Sequence, residues 1–119
     1  MYEYNAKVTS VHDGDTFKAT VDLGFSVFVE QTFRMQGINA PELKAPTLLS
    51  GTASRDKLRE LILDKEIIIK SFKPESSLKQ EKYGRYLAMV YIFDEYSRRF
   101  SLNANKLMID GGFAVPYMT

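Results

Sequence analysis

Apolar and polar residues alternate most strictly in DTFKATVDLG, where Phe17, Ala19 and Val21 fall on one side and Thr16, Lys18, Thr20 and Asp22 on the other. A period of two marks a strand with one buried face. Asp22, Leu23 and Gly24 then read as a turn, and Val27 to Met35 returns as the partner strand of a hairpin. Phe33 and Met35 share a face, so Arg34 projects from the opposite one. Upstream, Tyr4 to Val11 is a weaker strand of mixed pattern. Downstream, KEIIIKSF and YLAMVYIF are short and β-branched or aromatic, and predict two more strands.

The period changes in two places. In GTASRDKLRELILDK, Ala53, Leu58, Leu61 and Ile62 recur near helical spacing, with Arg55, Lys57, Arg59 and Glu60 largely opposite. This predicts a helix from about Thr52 to Leu63. SLNANKLMIDGG predicts a second helix, with Ser101 as its N-cap and Gly111–Gly112 as its stop. INAPELKAPTLLSG, with two prolines, and the polar KPESSLKQEKYGR read as loops. The order is three strands, a helix, two strands, a helix. It predicts a mainly β, α+β chain: a five-stranded antiparallel barrel of the OB type with two helices packed on it.

A length of 119 residues is one domain's worth, spanning 1–119. Hydrophobic residues at 45% supply a core and argue against intrinsic disorder. Cysteine is absent and His12 is the single histidine. That excludes a disulfide framework, a cysteine-type zinc site and a histidine triad. Any hydrolytic chemistry therefore rests on carboxylates, arginines, tyrosines or a metal held through oxygen. A net charge of +1 gives no global attraction to nucleic acid, so such a partner needs local clustering. The opening MYEYNAKVTS has no apolar run of signal-peptide length, and no stretch is long and apolar enough to span a bilayer. A cytoplasmic protein without a membrane partner is the expectation.

Three spots combine polar side chains with turn residues. In HDGDT, Asp13–Gly14 is a turn signature, and Asp15 shares parity with Phe17, which aims its carboxylate at the barrel rim. The plainer reading is a tight turn with a solvated acid. In FRMQGINAPE, Arg34 and Glu42 flank a turn. By themselves they read as a surface ion pair worth about 0–1 kcal/mol. EKYGR, residues 81–85, has a glycine turn, an aromatic ring and two cations. It is either a solvated hairpin end or a phosphate grip, with the Tyr83 ring available for a base or sugar. Taken together, the three spots fit a phosphodiester site that uses a metal. Carboxylates hold a hard cation through oxygen, arginines bind phosphate bidentately, and a free glutamate orients or deprotonates water. His12 reads as a solvated turn residue rather than a base. Asp13 stays open between a turn role and support of a metal ligand. No serine or threonine has a base arranged beside it in sequence, so covalent catalysis has no support.

DGDT, FR…G…APE, KYGR and GGFA, in that order and with a helix between the second and third, resemble the staphylococcal nuclease family from about Lys7 to Tyr117. The resemblance implies an OB-type barrel with helices that hydrolyses DNA and RNA phosphodiesters. It implies a calcium ion, little sequence preference and products with 3′-phosphate ends. Asp15 matches a calcium ligand, and Arg34 and Arg85 match arginines on the scissile phosphate. Glu42 matches a general base or water-orienting group. Lys82 and Tyr83 match positions that hold a neighbouring phosphate and nucleotide, and Tyr117 matches a tail tyrosine at the nucleotide pocket.

One departure stands at position 39. The family places an aspartate two residues before the proline, as a calcium ligand; this chain has Asn39, followed by Ala40, whose position offers its backbone carbonyl. An amide oxygen still ligates calcium, but one negative charge is lost. Two unit charges about 4 Å apart interact by about 4 kcal/mol at an effective dielectric near 20, a term that dehydration partly offsets. Calcium binding weaker than in aspartate-bearing relatives is expected. The best-known family members also continue into a third helix. Two other readings stay open at this point. One is an OB-type module that holds single-stranded nucleic acid on Tyr83, Tyr86 and Tyr117 with Lys82. The other is a protein-interaction barrel, which requires an exposed apolar patch. Glu42 separates the nuclease from a pure binder, because a carboxylate beside a phosphate repels it.

Overall fold

The structure, a computed structural model, describes residues 2–71 and 85–117. In chain order the elements are β1 (Tyr2–Asp13), β2 (Thr16–Asp22), β3 (Phe28–Met35), β4 (Ile38–Asn39), α1 (Leu48–Ile62), β5 (Glu66–Ser71), β6 (Tyr86–Asp94), β7 (Arg99–Asn103), α2 (Ala104–Asp110) and β8 (Val115–Pro116).

The five strands legible in the sequence are those that close the barrel. They pair in the order β3-β2-β1-β5-β6, and β6 returns to β3. Four seams are antiparallel; the closing one is parallel, with Phe33 opposite Tyr86, Arg34 opposite Leu87 and Met35 opposite Ala88. Alternation sends Val8, Phe17, Ala19, Phe33, Met35, Ile67, Ile69, Ala88 and Val90 into the interior, all buried. The Phe17 and Phe33 rings stack with centroids 5.5 Å apart. Burying each large side chain of this kind contributes about 1.5–3 kcal/mol.

Several boundaries differ from expectation, each for a local reason. β1 runs from Tyr2 to Asp13 and pairs with both β2 and β5. Its pattern reads weakly because register shifts between Val8 and Ser10 and between Val11 and Asp13 break the alternation. α1 starts at Leu48 rather than near Thr52, taking Gly51 into its first turns. Its buried face is Gly51, Ser54, Leu58 and Ile62, so Ser54 is turned inward and Ala53 outward. The second helix begins later than expected, because Arg99–Asn103 pairs with β6 as a sixth strand of the sheet. Its N-cap is Asn103, whose side chain accepts from the Lys106 N–H at 3.1 Å; Ser101 lies within β7. Gly111 ends α2 as expected.

α1 sits over the end of the barrel where β1 turns into β2. A Cβ on Gly14 would meet the side chains of Ser54 and Ala40, and one on Gly51 would meet the backbone of Glu42 and Pro41. Glycine at both positions is therefore what lets the helix, the DG turn and the NAPE loop approach so closely. The Ser54 hydroxyl donates to the Phe113 carbonyl at 2.7 Å, tying the C-terminal segment to the same helix. Among the described residues, no helix is long and apolar enough to cross a membrane.

Candidate functional site

At that end of the barrel the structure brings Asp15, Arg34, Asn39, Ala40 and Tyr117 together. Asp15 heads β2, just past the turn in which its N–H donates to the Asp13 carboxylate at 3.1 Å. Its own carboxylate accepts from the Thr16 hydroxyl at 3.1 Å and from the Ala40 N–H at 2.8 Å. Arg34 projects away from the barrel core, as the alternation requires, yet it is buried. Asn39 of β4 and the Tyr117 ring meet it. Its Nη1 stands 3.2 Å from Asp15 Oδ2 and donates to the Met35 carbonyl at 3.2 Å. Its Nη2 donates to the Asn39 Oδ1 at 3.3 Å, and the Tyr117 ring centroid is 5.6 Å from the guanidinium carbon. The partner of Arg34 is thus Asp15, not Glu42, and the pair is not a surface one.

Tyr117 reaches this place through pairing. Asn39 lies opposite Val115 and Ile38 opposite Pro116, and the Tyr117 N–H donates to the Gly37 carbonyl at 2.8 Å. The GGFA turn supplies the approach: Phe113 and Ala114 N–H groups both donate to the Met108 carbonyl as the chain leaves α2.

Arg85 precedes β6. Its Nη1 donates to the Thr16 hydroxyl at 3.0 Å. Thr16 therefore links Asp15 to Arg85, a role its outward parity did not reveal; the signal was its place as the T of DGDT. Asn105 also escaped notice. It is buried, and its side chain accepts from the Val90 N–H and donates to the carbonyls of Gln36 and Ala88, fixing β6 to the loop after β3. Glu42 stands on the exposed loop beyond Pro41, with its carboxylate 3.1 Å from Lys44 Nζ. The structure does not bring it into contact with Asp15 or Arg34. Lys82 and Tyr83 lie outside the described residues.

Burial pushes the Asp15 carboxyl up from 3.8 to about 6. The neighbouring Asp13 carboxylate adds to the rise, while the Ala40 N–H and the Arg34 guanidinium hold it back. Desolvation thus outweighs the cation beside it, and the negative charge on Asp15 is under-compensated.

That charge bears on a cation site. The side-chain oxygens of Asp15 and Asn39 meet on the Arg34 guanidinium and are of the hard kind that calcium takes. Among the described residues no cluster of three or more histidines, cysteines or acids exists. One carboxylate and one amide oxygen are, by type, donors that a hard cation accepts.

The chain matches the family described as staphylococcal nuclease homologue over residues 32–119. With close to three-quarters of its length matched, it belongs to that family. The match covers Arg34, Asn39, Glu42, Arg85 and Tyr117; β1, β2 and Asp15 precede it. Family membership suggests a nuclease or nucleic-acid-binding function. No curated protein matches the chain significantly.

Proposed function

We propose that the protein is a calcium-dependent endonuclease that hydrolyses DNA and RNA phosphodiesters with little sequence preference. The observation that carries this reading is the convergence of Arg34 and Arg85 on one buried edge, Asp15–Thr16, at the end of the barrel beside α1. Two guanidiniums a residue apart on that edge form a fork for phosphate oxygens. A pure binding module has no use for a buried acid placed between its phosphate-binding cations.

Each residue has a role in this scheme. Asp15, Asn39 and Ala40 would hold the calcium ion, whose charge draws a phosphate oxygen and lowers the cost of charge building on it. Arg34 and Arg85 bind the non-bridging oxygens, and their contacts tighten as charge develops during in-line attack. Arg34 is already oriented by the Met35 carbonyl, the Asn39 amide and Asp15. That removes reorganisation at the moment of reaction. Glu42, exposed and mobile about its own torsions, swings from Lys44 to accept a proton from the attacking water or to orient it. Tyr117 offers its exposed ring edge to a base or sugar next to Arg34. Lys82 and Tyr83 are assigned to a neighbouring phosphate and nucleotide by their place in KYGR alone.

The reading is tested by incubating the full chain with single-stranded DNA and with RNA, in calcium and in EDTA. Cleavage of both in calcium, none in EDTA, and loss in Glu42→Gln are expected. Binding without cleavage at any calcium concentration would leave the binding module standing instead.

A further inference from the structure

Beside the site runs a second groove, which shares Thr16 and Arg85 with it and whose other residues the reading above does not use. A cavity of about 400 Å³ lies on the outer face of β1, β2 and β3, lined by Ser10, His12, Thr16, Lys18, Thr32 and Arg85 among others. Its described lining contains two permanent cations, an imidazole and three hydroxyls, and no carboxylate. Among the described residues no ion pair engages Lys18.

The register shows how the groove is built. Ser10 lies opposite Lys18, and Lys18 opposite Thr32, so the three form one cross-strand row on the outer face. The next outward row toward the β1–β2 turn is Asp13, Thr16 and Arg34. Two residues along a strand advance about 7 Å, comparable to the spacing of successive phosphates along a nucleic-acid strand. Arg85 spans the step, because its guanidinium rests on Thr16. On the opposite side of the Lys18 row, Thr20 lies between Lys7 and Glu30, and Glu30 brings in an acid that ends the positive run.

We infer that the Ser10–Lys18–Thr32 row seats a second backbone phosphate, adjacent to the one handled between Arg34 and Arg85. The ligand is a single strand of nucleic acid with at least two consecutive phosphates. Lys18 supplies the charge, the Ser10 and Thr32 hydroxyls donate to the phosphate oxygens, and Arg85 is shared between the two positions. The Glu30 row limits the groove to one added phosphate. This inference rests on the proposed nuclease reading and extends its substrate contacts.

The test is binding of a short fluorescent oligothymidylate to the full chain in EDTA, followed by anisotropy as salt is raised. Lys18 is exposed, so its substitution leaves the core intact. Lys18→Gln is expected to weaken binding roughly three- to ten-fold at low salt and to lower the salt slope by about 0.7, one phosphate contact on a single strand. Lys18→Arg should restore both. Lys106→Gln, on α2, should change neither. Lys18→Gln with unchanged affinity and slope, or Lys106→Gln with an equal loss, overturns the second seat while leaving the nuclease reading intact. No binding by the wild-type chain in EDTA also overturns the second seat, while the nuclease reading is decided by cleavage in calcium.

Discussion

Two ion pairs at one end of this barrel have nearly the same length and opposite character. Arg34 and Asp15 approach to 3.2 Å with side chains 11% and 8% exposed; Lys44 and Glu42 approach to 3.1 Å with side chains 74% and 69% exposed. Distance alone would rank them as equals. Burial separates them. The first is clamped by backbone and side-chain hydrogen bonds on both partners, and desolvation still leaves the Asp15 carboxyl raised to about 6. The second is held in water, where such a pair is worth about 0–1 kcal/mol. In the proposed scheme the difference is functional as well as energetic. A preorganised cation beside an under-compensated acid suits phosphate and metal, whereas a loosely held glutamate is free to turn toward a water molecule.

The comparison breaks most completely when an arginine is removed. Arg34→Ala or Arg85→Ala should lower turnover on single-stranded DNA at saturating calcium by about 10²–10³, the size of losing one oriented charge-stabilising group. Arg34→Ala should also cost about 3–5 kcal/mol of stability in urea unfolding, because it strips a buried acid of its partner. Near-normal turnover in Arg85→Ala would take that residue out of the scheme.

Asp15 sharpens the comparison through pH. Its carboxyl titrates near 3.8 when the chain is unfolded and near 6 when folded, so the native state takes up the proton first. The stability this group contributes is full below about pH 4 and is lost as pH rises through about 6, by about 3 kcal/mol in the metal-free protein. Asp15→Asn should abolish that slope. Unfolding of both proteins in EDTA across this window should show the variant gaining steadily on the wild type as pH rises. Parallel curves would mean that Asp15 is not raised. Calcium competes with the same proton, so its apparent affinity should fall below pH 6 in the wild type.

A smaller effect concerns the backbone that carries Glu42. Alanine is a better helix former than glycine by about 1 kcal/mol, so propensity alone predicts that Gly51→Ala stabilises α1. The Cβ would instead overlap the Glu42 carbonyl. A loss of about 1–3 kcal/mol is expected, with turnover reduced more than substrate affinity. A stabilised, fully active Gly51→Ala protein would show that the loop shifts freely. Smallest of all, Lys44→Ala should change stability by no more than about 0.5 kcal/mol, as expected for a solvated pair.

Much of this was legible in the residues because period and chemistry coincide there. Phe17, Ala19 and Val21 alternate without interruption, and they point inward. The same parity put the Asp15 carboxylate at the rim, where it lies. What stayed hidden needed partners distant in sequence. Arg34 reads as exposed because its strand parity points outward, and only Asn39 and Tyr117, later in the chain, come to meet it. Thr16 reads as one more outward residue until Arg85, from the other half of the chain, comes to rest on it. Ser54 carries no helical-face signal because a small polar residue is not counted as apolar. Its inward position follows from the close approach of Gly14 and from the Phe113 carbonyl it meets. The strand at Arg99–Asn103 was masked by helix-like spacing that begins just after it.

The central claim is that Asp15 and Asn39 serve a calcium-dependent cleavage of nucleic acid, with Asn39 setting a weak affinity. The most direct measurement is the rate of single-stranded DNA cleavage against calcium concentration for the wild type and Asn39→Asp side by side. The account predicts cleavage by both, with the aspartate protein reaching half its maximum at markedly lower calcium. Superimposable curves, or a folded wild type that holds DNA and cleaves none of it at any calcium concentration, would contradict it.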